Sequence, residues 1–152
     1  MNKILVRAAK PEDANEVYNL LRIIADLHRN GRPDMFPDLI SKYTVEELEL
    51  RFLNDNHGVF VAVNDNRVLG YVFCDIIKEG NGFTLYVDDL CVSPRARKNG
   101  IGHMLMDKAV EYGRKSNCSQ LMLNVWEFNS SAVDFYEKYG LTTRTRHMEM
   151  PL

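Results

Sequence analysis

Apolar and polar positions change period along this chain, and each change marks an element. Lys3 to Ala8 predicts a first strand. Pro11 then suits the first turn of a helix, with Glu12 and Asp13 at its positive end. Ala14, Val17, Leu20, Leu21, Ile24 and Leu27 recur at helical spacing and predict an amphipathic helix that stops near Asn30-Gly31. Arg32 to Lys42, with Pro33 and Pro37, reads as an irregular loop. Thr44 with Glu47 three residues later is a capping-box signature for a second helix running to about Leu53.

The period then shortens. Val59–Val63, the turn Asn64-Asp65-Asn66 and Val68–Ile77 predict an antiparallel hairpin. Gly80-Asn81-Gly82 turns the chain into a strand over Phe83–Val92. A helix from Gly100 to about Lys115 carries Ile101, Met104, Leu105, Ala109 and Tyr112 on one side. Leu121–Val125 is an apolar strand. Ala132, Phe135, Tyr136 and Tyr139 fall at i, i+3, i+4 and i+7 on a short helix that Gly140 ends. Thr142–Met150 reads as a closing strand. The unit Phe83–Val125 is a crossover that should set its two strands parallel. The fold class expected is mixed α/β, a largely antiparallel sheet with a central parallel pair and helices on both faces. With no repeat or linker, residues 1–152 form one domain.

Composition narrows the function classes. A chain of 152 residues with 45% apolar and 26% charged residues matches a soluble globular domain. A formal net charge of −2 gives no basic excess for nucleic acid or an anionic membrane. No apolar run approaches membrane-spanning length, and Met1-Asn2-Lys3-Ile4-Leu5 lacks the layout of a signal peptide. The three cysteines, Cys74, Cys91 and Cys118, fit reduced thiols in a cytoplasmic protein. His28, His57, His103 and His147 are scattered, and no Cys/His spacing resembles a zinc site.

The turn from Ser93 to Gly102 is the candidate binding element. Gly100 and Gly102 at a helix start let main chain approach a ligand unobstructed. The first N–H groups there have no intrahelical acceptor, and the dipole is positive. A diphosphate supplies what that end lacks, and Arg95, Arg97 and Lys98 add complementary charge. Two familiar phosphate loops are excluded. The dinucleotide fingerprint needs a glycine where Leu105 stands, and the P-loop needs Gly-Lys-Ser/Thr where Gly102-His103-Met104 stands.

Arg97-x-x-Gly100-x-Gly102 after Leu90-Cys91-Val92 resembles the acyl-CoA-binding motif of the GNAT superfamily of N-acetyltransferases. Asn129-Ser130-Ser131-Ala132-Val133-Asp134-Phe135-Tyr136-Glu137-Lys138-Tyr139-Gly140-Leu141 resembles that superfamily's second motif. The element order agrees from Ile4 to Met150. The resemblance implies that the strands Phe83–Val92 and Leu121–Val125 splay around the pantetheine arm of acetyl-CoA. Main-chain groups around Leu90, Cys91 and Val92 would pair with that arm. N–H groups of Arg97, Lys98, Asn99, Gly100, Ile101, Gly102 and His103 would hold the pyrophosphate, and Asn129 would contact the cofactor from the other side. Asn129 also suits the N-cap of the short helix.

The implied reaction is direct acetyl transfer from acetyl-CoA to a primary amine, either a small molecule or a peptide. An alkylamine is mostly protonated near pH 7, so the site must accept a proton, steady an oxyanion and protonate the departing thiolate. The resemblance makes Tyr136 the acid; its place on the apolar stripe equally suits packing. Asp88 and Asp89 interrupt an apolar strand, where carboxylates are costly unless paired or solvated. Asp88 leads as base and Asp89 follows, with structural ion pairing the competing account. Period two puts Asp88 on the face of Tyr86 and Leu90 and Asp89 on the opposite face, a count that a bulge would alter. A backbone N–H near Leu90 is the candidate oxyanion donor. Nothing marks Cys91 as an activated thiolate, so no acyl-enzyme is expected. Trp126-Glu127-Phe128 and the loop His28–Asp38 would border the acceptor. A CoA-binding sensor without turnover is the alternative, and a nucleotide-binding module a weaker one. Family members frequently dimerise through late strands, which makes a homodimer the assembly to test.

Overall fold

The computed structural model describes residues 3–152, so Met1 and Asn2 of the expected single domain and of the expected leaderless N-terminus lie outside the described residues. The elements in order are β1 (Leu5–Ala8), α1 (Ala14–Gly31), α2 (Val45–Leu53), β2 (Val59–Asn64), β3 (Arg67–Glu79), β4 (Gly82–Val92), α3 (Ile101–Lys115), β5 (Gln120–Leu123) and α4 (Ser130–Tyr139). A single five-stranded sheet runs β1-β2-β3-β4-β5. All neighbours are antiparallel except β4 and β5, which are parallel as the crossover requires.

Local chemistry accounts for the helix starts. Thr44 and Glu47 form the reciprocal cap, with Glu47 N donating to Thr44 Oγ1 at 3.1 Å and Thr44 N to Glu47 Oε1 at 3.0 Å. Before α1, the chain makes one turn of 3-10 helix over Pro11–Asp13. Asp13 there accepts from Lys10 N at 2.8 Å and from two nitrogens of Arg7 at 2.8 and 3.0 Å. Burial alone would push this carboxyl up; the bonds from Arg7 and Lys10 outweigh it and hold the group below the usual carboxylate range. In the β2–β3 turn, Asp65 and Asn66 both have positive φ (50° and 64°), the left-handed pair of a tight type I′ hairpin.

The sheet separates two apolar layers. On one face, Val17, Leu20 and Leu21 of α1 and Leu48 and Phe52 of α2 pack on Val59, Val61, Tyr71, Phe73 and Cys91. On the other, Ile101, Leu105, Met106 and Ala109 of α3 cover Phe60, Val72, Leu85 and Val87, with Phe135, Tyr136 and Tyr139 of α4 against the same layer. Both faces are thus covered, as expected.

The expected closing strand is not formed. Thr142–Met150 runs without a ladder, so the parallel pair lies at one edge of the described sheet rather than in its centre. The alternation of Thr, Arg and Met in this segment has no layer to bury: Met148 and Met150 are 84% and 76% exposed. Side chains tether it instead. Arg144 reaches Glu79 at 3.2 Å, and Arg32 Nη2 reaches Glu149 Oε2 at 3.2 Å.

Candidate functional site

The parallel ladder is short. It pairs Thr84↔Gln120, Leu85↔Leu121, Tyr86↔Met122 and Val87↔Leu123 and stops there, although β4 continues to Val92. Leu90, Cys91 and Val92 therefore have no ladder partner on the β5 side. The two strands are paired only as far as Val87, and the first residue of β4 beyond that vertex is Asp88.

At that vertex β4 is bulged. Phe73 pairs with Asp89 and Cys74 with Val87, so Asp88 is an extra residue without a partner on β3. The bulge overturns the expected period-two alternation. Asp88 accepts from Lys42 Nζ at 2.7 Å and from the Tyr43 hydroxyl at 3.0 Å, and Asp89 accepts from the Tyr71 hydroxyl at 3.0 Å. Tyr43 and Tyr71 both belong to the α1/α2 layer, so both carboxylates turn to that side. Burial, chiefly, pushes Asp89 up to about 6, while the bond from Tyr71 and the charge of Lys42 pull the other way. Lys42, Tyr43 and Tyr71 carry no motif signal in the sequence. Lys42 and Asp88 lie 46 residues apart and meet only through the fold.

The mouth of α3 faces solvent. Gly100 is its N-cap in the left-handed region (φ 75°), and Lys98 shares that region (φ 69°). Left-handed residues alternating with ordinary ones turn successive N–H groups toward one concavity, a backbone arrangement suited to anions. Among the described residues, no main-chain N–H from Arg97 to His103 donates to a protein carbonyl; the first to do so is that of Met104, to Gly100 at 3.0 Å. A Cβ at Gly100 would meet nothing within 4 Å. The Asn99 amide nitrogen donates to Ala96 O at 3.1 Å and to Arg97 O at 3.4 Å, so it takes none of these donors. Unpaired donors, a positive dipole, an open face and nearby Arg97 and Lys98 fit a diphosphate. The main chain of Leu90–Val92, left unpaired on the β5 side among the described residues, suits pairing with an extended thiol arm. These residues therefore fit CoA.

Gly102 serves a different purpose. A Cβ there would lie 3.1 Å from the Phe135 ring, so the second glycine lets α4 close onto α3. Tyr136, the next residue of α4, is half-buried against the α3 layer. Burial, with smaller contributions from Asp89 and Cys91, raises its phenol above the usual range, so it stays protonated at neutral pH. Asn129 occupies the N-cap position of α4 but makes no capping bond with its side chain; its Oδ1 accepts from Ser131 Oγ at 3.5 Å. Cys91 is buried and its thiol is pushed up to about 12 by burial first and by Asp89, which makes it a poor nucleophile. His103 is exposed, 3.6 Å from Asp107.

The predicted border of the acceptor side comes together around one aromatic cluster. Phe36 stacks on His28 (5.4 Å between centroids) and meets Trp126 edge-on (5.5 Å), Trp126 stacks on Phe128 (5.5 Å), and Arg32 lies over Trp126 at 5.4 Å. Gly31 makes this approach feasible, since a Cβ there would run into the Phe128 ring. Asp34 and Glu149 both bind Arg32. A separate surface groove along α3, lined by His103, Asp107, Arg114 and Tyr139 among others, includes none of the gap residues.

Residues 19–141 match the acetyltransferase (GNAT) family. The chain is 37% identical to the thialysine N-epsilon-acetyltransferase of Bos taurus over 152 residues, covering 90% of this chain and 83% of the relative. Its fold is similar to that of a mutant form of the BH1408 protein from Bacillus halodurans, with a TM-score of 0.86, 24% identity and coverage of 97% and 99% of the two chains. It is also similar to a chain of the NatC complex bound to Gag peptide and CoA, with a TM-score of 0.73, 19% identity and coverage of 95% and 87%. A family match across most of the chain, on a fold whose parallel strands part beside an open helix mouth, establishes that this protein is an acyltransferase of the GNAT family.

Proposed function

We propose that the protein transfers the acetyl group of acetyl-CoA directly to a primary amine at the vertex of the β4–β5 gap. The observation that carries this reading is the ladder's end at Val87↔Leu123, which leaves Leu90–Val92 open for an extended ligand and puts two carboxylates where it begins. Acetyl-CoA supplies an activated acyl group as a thioester. Main-chain N–H groups from Arg97 to His103 hold the diphosphate, Asn129 contacts the cofactor from α4, and the groups of Leu90, Cys91 and Val92 align the arm. Asp88 receives a proton from the amine, the N–H near Leu90 donates to the developing oxyanion, and the Tyr136 hydroxyl donates to the departing sulfur.

The acceptor fits a flexible primary ammonium. Asp88 pairs with one already, and the identity shared with a thialysine N-epsilon-acetyltransferase supports an amine at the end of a short unbranched chain. A CoA sensor would need neither Tyr136 nor the vertex carboxylates, which favours turnover over mere binding. The free cysteines Cys74, Cys91 and Cys118 support a cytoplasmic location. No helix among the described residues is long and apolar enough to cross a membrane. The outer edge of β5, which no strand pairs among the described residues, and the exposed Met148 and Met150 support a homodimer, which sedimentation equilibrium reads directly.

The test is release of free CoA from acetyl-CoA in the presence of thialysine, polyamines, aminoglycosides or short peptides. Release above the amine-free background is expected with the first two classes. Saturable CoA binding without release from any amine would leave the sensor in place of the enzyme.

The pH profile separates the carboxylates. If the charge of Asp89 supports proton acceptance at the vertex, kcat/KM falls on acidification through about 6, where Asp89 gains a proton. Asp89→Asn is then expected to be slow throughout and to lack that limb. A variant that keeps an inflection near the same pH would assign the limb to another group.

A further inference from the structure

Both carboxylate oxygens of Asp88 are engaged by the protein itself. One carboxylate oxygen takes Lys42 Nζ at 2.7 Å and the other takes the Tyr43 hydroxyl at 3.0 Å. The carboxylate is largely buried (13% exposed) and the Lys42 side chain is 45% exposed. Lys42 comes from the α1–α2 loop, passes the Tyr43 ring at 5.9 Å and delivers a primary alkylammonium to the residue at which β4 and β5 part. Among the described residues, no other lysine is paired with a carboxylate at that vertex; Lys108 and Lys115 pair with Glu111 on α3. A diffusible amine that pairs with Asp88 Oδ1 competes with this side chain for the same oxygen.

We infer that Lys42 is a resident acceptor: its Nζ occupies the amine position of the transfer site and is acetylated in cis by the cofactor bound to the same chain. The inference rests on the acetyl-transfer reading above. The ammonium first gives a proton to Asp88. The nitrogen lone pair then forms the C–N bond to the thioester carbonyl carbon and the C–S bond breaks. The sulfur leaves with the electron pair and takes one proton, from Tyr136, which recovers it from the nitrogen through Asp88 and solvent. The products are one Nε-acetyl-lysine, one CoA thiol and one proton. The neutral acetamide no longer pairs with Asp88, so the modification uncovers the carboxylate for an external ammonium. Lys42 thereby governs both the first turnover and access for later acceptors.

The experiment incubates the full chain with acetyl-CoA and no added amine, and follows each lysine by peptide mass spectrometry. Lys42 is expected to gain one acetyl group at least about tenfold faster than Lys115, an exposed lysine that is likewise paired with a carboxylate, because a held amine reacts at a high effective concentration. The rate per molecule should not change with protein concentration, and Asp88→Asn should abolish the preference. A second readout needs no acyl donor. Titration of the CoA-free protein with cadaverine should give at least about tenfold tighter binding to Lys42→Gln than to wild type, whereas Lys42→Arg, which keeps the charge, should bind as wild type. Acetylation of Lys42 no faster than of Lys115, or equal cadaverine affinity in wild type and Lys42→Gln, would overturn the inference. If CoA is released with cadaverine while Lys42 stays unmodified, the resident acceptor is wrong and the enzyme reading survives. If neither amine is acetylated, both fall.

Discussion

Tyr136→Phe should lower kcat by roughly 10²-fold or more while changing the Kd for CoA by less than about threefold, because a positioned acid contributes about 10²–10⁴ to a rate and little to ground-state binding. The residue sits on α4 against the α3 layer, and Phe preserves that packing. Its phenol is raised by burial first and then by Asp89 and Cys91, so it carries its proton throughout the physiological range. Among the described residues no hydrogen bond contributes to that shift, which leaves the hydroxyl available to a ligand. Pre-steady-state measurement with saturating amine checks the chemical step itself. An unchanged kcat would make Tyr136 a packing residue and would require another donor for the sulfur.

Gly100→Trp is expected to weaken CoA binding by about 10²-fold or more, measured by isothermal titration, with the fold retained. Loss of two charge-assisted hydrogen bonds, at about 1.5–3 kcal/mol each, is enough for that effect. The indole would enter the open space before α3, since nothing stands within 4 Å of the Cβ position. The left-handed φ of 75° costs a tryptophan about 1–2 kcal/mol, which is less than the stability of a typical domain. A thermal melt distinguishes local blockage from unfolding. Gly102→Ala probes a different contact, because its Cβ would press on the Phe135 ring at 3.1 Å and disturb the α3–α4 seam. Undiminished CoA affinity in Gly100→Trp would place the cofactor elsewhere.

The two glycines show how far local reading reaches. Their spacing marks the turn, and helix-end physics says why an anion belongs there, but only the packed structure separates their duties. Gly100 keeps a face open and Gly102 lets a neighbouring helix close. The same division holds at the carboxylates. Two aspartates in an apolar strand are conspicuous in one dimension, because each is costly there without a partner. Their partners Lys42, Tyr43 and Tyr71 come from remote segments, and the bulge that turns both toward one layer leaves no mark in the residue pattern.

Thr142–Met150 is the instructive failure. Its Thr-rich alternation has the composition of a strand, yet a strand also needs a layer to cover. In this chain the segment is held by Arg144 and Arg32, and its methionines face outward.

What the chain determines by itself is whatever depends on neighbours within a few residues. The Thr44–Glu47 cap, the Asp65-Asn66 turn, the amphipathic faces of α1, α3 and α4 and the unpaired donors before α3 all follow from short-range geometry and burial. Tertiary structure alone decided where the β4–β5 ladder ends, which way Asp88 and Asp89 turn, and that Lys42 arrives at the vertex. Those outcomes depend on contacts between segments far apart in the chain, whose energies are settled only when the two layers close on the sheet.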